Sequence, residues 1–77
     1  MQALIRDVLE AWRDAERRCS EAEPGSIGQR AARDLAERLR VLYHSAVDAE
    51  PSFDNAIRFR VSLEETQRRP AEEHAPG

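Results

Sequence analysis

A single thiol, Cys19, and two imidazoles, His44 and His74, are the side chains whose types could carry nucleophilic or metal chemistry in this chain. A cysteine attacks as its thiolate and needs a base within hydrogen-bond reach, and a zinc site needs several nitrogen, sulfur or carboxylate ligands that converge. Neither histidine has a second ligand at such a spacing, so no metal and no cofactor is expected. Carboxylates occur as adjacent pairs at Glu64/Glu65 and Glu72/Glu73. Sequence neighbours point apart on a strand and are merely solvated in a tail, which does not make an acid and a base of them. Gly25 and Gly28 lack both the length and the lysine of a phosphate-binding loop. Basic side chains cluster at Arg17/Arg18, Arg58/Arg60 and Arg68/Arg69, each beside acidic residues, and the formal net charge is −3. That balance argues against nucleic acid as a partner, because such binding rests on a net basic surface.

Whether Cys19 can meet His44 depends on the elements that carry them. From Met1 to Glu23 the residues Met1, Ile5, Val8, Trp12, Ala15, Cys19 and Ala22 are spaced alternately by four and three, the seam of an amphipathic helix over 1–23. Its other face is charged, with Arg6/Glu10, Asp14/Arg18 and Arg17/Glu21 one turn apart. Such pairs add about 0.2–0.5 kcal/mol each, so they mark a solvated face. A turn at 24–26 follows, where Pro24 cannot donate a backbone hydrogen bond and Gly25 readily takes positive φ. Ser26 and Gln29 have the spacing of a reciprocal capping box. The second helix, 27–49, repeats the seam with Ala32, Leu35, Leu39, Leu42, Ala46 and Ala49 and carries Arg30/Asp34, Arg33/Glu37 and Asp34/Arg38 outside, before Pro51 ends it.

A turn this short forces the helices antiparallel, so residues 1–50 read as an αα-hairpin. Facing positions place Val8 by Leu42, Trp12 near Leu39 and Cys19 by Ala31. His44 then lies about 13 residues along the helix from the residue opposite Cys19, or about 20 Å, which excludes a dyad within the chain. Cys19 reads as a small apolar seam residue. The seam is narrow near the turn and bulky at the open end, where Leu4, Ile5, Val8, Leu9 and Trp12 face Leu39, Leu42, Tyr43 and Val47. One partner helix does not cover that stripe, so something else must pack there.

Residues 51–66 form a linker followed by a strand or a third helix. Ile57-Arg58-Phe59-Arg60-Val61-Ser62-Leu63-Glu64 alternates apolar and polar, which favours a strand. The helix reading takes Ser52 as cap and Phe53, Ile57 and Val61 as one face. Residues 67–77 are polar and contain Pro70 and Pro76, the composition of a disordered tail.

The run Ala11-Trp12-Arg13-Asp14-Ala15-Glu16-Arg17-Arg18 leading into Pro24-Gly25-Ser26, then Ala36-Glu37-Arg38-Leu39-Arg40-Val41-Leu42-Tyr43-His44, resembles small helical-hairpin proteins of GC-rich bacteria. The resemblance covers residues 1–50; it implies a hairpin and brings no activity with it.

The expected fold is therefore mainly α, an antiparallel coiled-coil-like hairpin followed by a short C-terminal β-strand and completed by dimerisation into four helices. The expected function is a non-enzymatic protein–protein interaction or oligomerisation module. Its interface would comprise Leu4, Ile5, Val8, Trp12, Leu39, Leu42, Tyr43, Ile57, Phe59, Val61 and Leu63. Two strands would pair antiparallel about Val61, with Phe59 facing Leu63 and Arg58 facing Glu64 of the other copy. One alternative is an accessory subunit or antitoxin-like regulator whose strand adds to a different protein's sheet; another is a DNA-binding regulator, which the acidic charge opposes. No apolar run is long enough to span a bilayer, no secretory signal is evident, and the lone cysteine fits a reducing compartment, so a cytoplasmic protein without a membrane partner is expected.

Overall fold

The computed structural model describes residues 1–73, with side chains through residue 68. It consists of helices α1 (Gln2–Glu21), α2 (Ile27–Asp48) and α3 (Phe53–Glu73). The first two form the expected hairpin. Glu23-Pro24-Gly25-Ser26 closes a tight turn in which Ser26 N–H donates to the Glu23 carbonyl at 3.0 Å, with Gly25 at φ +78°. Proline second and a positive-φ glycine third are the signature of a type II turn. Ser26 Oγ accepts from Gln29 N–H at 3.1 Å, as a cap should. The reciprocal half of the capping box is altered. The turn already satisfies the Ser26 N–H, so the Gln29 side-chain oxygen accepts from Gly25 N–H instead, at 2.8 Å.

A Cβ at Gly25 would meet nothing within 4 Å, so its only cost is the backbone conformation. Gly25→Ala is expected to destabilise the chain by about 1–2 kcal/mol, the penalty of left-handed backbone for an L-residue, read as a lowered urea midpoint with an unchanged slope.

The strand expected over 57–64 is a helix, and α3 continues through residues 67–73 of the expected tail; the remaining four residues lie outside those described. Ser52 caps α3, its Oγ accepting from Asn55 N–H at 3.1 Å, while the Asn55 side chain donates to the Glu50 carbonyl at 2.8 Å. The alternation that suggested a strand comes from two interleaved pairs, each one helical turn apart. Phe59 and Leu63 point inward, Leu63 being buried, whereas Ile57 and Val61 are exposed on a neighbouring side. Two such pairs offset by two residues mimic period two. The helical alternative has the correct cap, and the one face it groups, Phe53, Ile57 and Val61, is the exposed one.

The core is one cluster of Leu4, Val8, Ala15, Ala36, Leu39 and Leu63, with Met1, Ala11, Trp12, Leu35, Leu42, Tyr43 and Phe59 packed around it. Alanines fill the narrow part of the hairpin and bulky side chains the open end. There α3 brings Phe59 and Leu63, so the covering element that the wide stripe requires is supplied by the same chain. An ion pair adds to this packing: Arg60 Nη1 donates to Asp7 Oδ2 at 2.7 Å, joining α3 to α1.

Both partners of that pair are roughly half exposed, so Asp7→Asn is expected to cost no more than about 1 kcal/mol. The difference from the parent chain should shrink in high salt, where the Debye length falls to about 3 Å. Paired urea titrations at low and high sodium chloride measure this; a cost unchanged by salt would mean packing, and not charge, joins Asp7 to Arg60.

Candidate interaction surface

The residues singled out for chemistry are held apart. Cys19, half-buried, has its Sγ 3.8 Å from the Gln29 carbonyl near the turn. His44 stacks edge-on against Trp12 and Tyr43 toward the open end, with ring centroids 6.3 and 5.7 Å away. Gln29 and His44 are fifteen positions apart on α2, about 22 Å at the helical rise. His74 lies outside the described residues. Among the described residues no group of three or more His, Cys, Asp or Glu side chains is placed to hold a metal ion, and no helix is long and apolar enough to cross a membrane.

Four arginines are engaged by carboxylates of their own helix, whereas the expected pairs Arg6/Glu10, Arg30/Asp34 and Arg33/Glu37 do not form. Arg17 and Arg18 both pair with Asp14, Arg38 with Asp34 at 3.1 Å, and Arg40 with Glu37. In each helical pair the acid precedes the base, the order the helix dipole favours. This explains why Asp14/Arg18 and Asp34/Arg38 form as expected while Arg17 turns back to Asp14 and away from Glu21. The hydrogen bond from Arg40 holds the Glu37 carboxyl below its usual value, against an opposing effect of desolvation, and Glu37 in turn raises Arg40.

The anticipated interface residues divide into three groups. Leu4, Val8, Leu39 and Leu63 lie in the core of their own chain, where Leu42 and Phe59 pack against them. Ile5, Trp12 and Tyr43 are half-buried on the hairpin, and the Trp12 and Tyr43 rings stack at 5.7 Å with an interplanar angle of 47°. Trp12 also walls a shallow groove of about 510 Å³ that runs toward the turn past Cys19, Ala36 and Arg40. The third group, Ile57 and Val61, faces outward on α3 at 49% and 47% exposure.

Phe53, absent from the anticipated set, extends that outward stripe and is 79% exposed. Phe53, Ile57 and Val61 recur every fourth residue, so they share one side of α3. The signal in the sequence is this spacing, which the helical alternative groups as one face without marking it as outward. Ile27, Val41 and Val47 are also exposed, on α2.

The fold and surface together define a small three-helix chain with an apolar helical stripe and no converging chemistry among its described residues. Comparison with protein-family models, curated proteins and solved structures finds nothing that matches it, so the functional reading rests on the geometry.

Proposed function

We propose that this protein is a non-enzymatic interaction module that acts by self-association as a homodimer. The observation that carries the reading is the stripe of Phe53, Ile57 and Val61, left outward on a helix that packs Phe59 and Leu63 against the hairpin. Large apolar side chains aligned along one side of a helix are a docking feature, whereas single exposed ones are ordinary surface. The short core also favours association, because a chain of 77 residues buries a small fraction of its surface alone. The separation of Cys19 from His44 gives little support to a catalytic role, and the net charge of −3 little to a nucleic-acid one.

The first test is the solution mass of the isolated protein by light scattering over a dilution series. A species of twice the chain mass at the concentrated end supports the reading. A monomer at every concentration overturns it; the alternative in which a strand of this segment adds to a partner's sheet is already opposed by the helix that 53–73 form.

A further inference from the structure

The proposed self-association leaves open which surfaces meet and in what register. We infer that two copies pair through α3, antiparallel about a twofold axis at Ile57, an inference that rests on the self-association reading. Phe53 and Val61 are equidistant from Ile57 in sequence, so in a reversed copy each lies against the other while Ile57 meets its own counterpart. That arrangement is isologous, as a twofold interface requires.

Charge selects the direction. Asp54 and Arg58 are exposed on the side of α3 that borders Ile57 and Val61. Asp54 lies three residues before the axis and Arg58 one after it, so a reversed copy brings them within two residues along the helix, about 3 Å. Both acid–base pairs of the dimer form at once by symmetry. In a parallel twofold pair the flank that carries Asp54 and Arg58 would face the opposite flank of the other copy, so neither acid–base pair would form.

The surface is also fixed in place. The Ser52 cap and the bond from Asn55 to the Glu50 carbonyl secure the first turn of α3, from which Phe53 projects. At the other end Glu64 follows Val61 on the same side, so the apolar contact stops there. An interface of three large side chains per copy is smaller than that of tight complexes, so the dimer should dissociate on dilution.

The test uses the full chain. Sedimentation equilibrium should give a monomer–dimer transition for the parent protein, and Ile57→Glu should raise its midpoint concentration at least tenfold while circular dichroism shows the helices intact. Asp54→Arg and Arg58→Asp should each weaken association alone, by placing like charges together, and an equimolar mixture of the two variants should restore it. A parent dimer indifferent to Ile57→Glu would overturn this interface and leave self-association standing. Single charge variants that dimerise as well as the parent would overturn the antiparallel register. A parent chain that never dimerises would overturn both this inference and the reading beneath it.

Discussion

Leu39→Ala is expected to lower the stability of this chain by about 2–5 kcal/mol, the largest effect of any single truncation. Leu39 is fully buried in a cluster to which all three helices contribute, with Leu4 and Val8 from α1 and Leu63 from α3. Shortening it removes apolar contact with every neighbour and leaves a cavity that helices fixed by tight turns can only partly close. A chain of 77 residues is expected to have a total stability of roughly 4–11 kcal/mol, so the loss is a large share of the whole. Val41→Ala, two residues on and so on the other side of α2, more than half exposed, should stay within about 0.5 kcal/mol. Urea unfolding followed by the fluorescence of Trp12, the chain's one tryptophan, and by circular dichroism gives both numbers. Equal shifts for the two variants would place the core elsewhere.

The hairpin was legible because its signals are local. Pro24, Gly25 and Ser26 specify the turn by backbone chemistry alone, and alternating three and four spacing specifies the buried stripes without reference to the rest of the chain. The width of the open-end stripe was equally legible as a demand for a further element. What satisfies that demand was not, because identifying it means choosing between two periods over eight residues. Phe59 with Leu63 and Ile57 with Val61 interleave so evenly that strand and helix templates both match. Length offered better arbitration: from Phe53 to Arg69 there is neither proline nor glycine, a run longer than an ordinary strand, with a serine cap before it.

The candidate surface was missed in part for the same reason. Once residues 57–64 are read as a strand, Phe59, Val61 and Leu63 share one face and Ile57 joins them, so all four are assigned to burial. As a helix they separate by sides, and the outward pair acquires Phe53 as a third member. The ion pair between Arg60 and Asp7 could not be read from the sequence at all, because the residues are 53 apart and their meeting depends on where α3 docks.

The two readings of this segment differ most sharply in the comparison of Leu63→Ala with Val61→Ala. Leu63 is 4% exposed within the core cluster, whereas Val61 is 47% exposed on the outer side of α3. Truncating Leu63 should therefore cost about 2–4 kcal/mol and loosen α3 from the hairpin, seen as faster exchange of the α3 amides. Truncating Val61 in dilute monomer removes little packing and replaces a β-branched residue with the best helix former, so its effect should lie near zero or slightly stabilise. A strand with one buried face would carry both side chains inward and make both truncations costly. Equal, large losses from the two variants would restore the strand. A large loss for Leu63 beside a negligible one for Val61 would fix the orientation of α3 and leave its outward stripe available to a second copy.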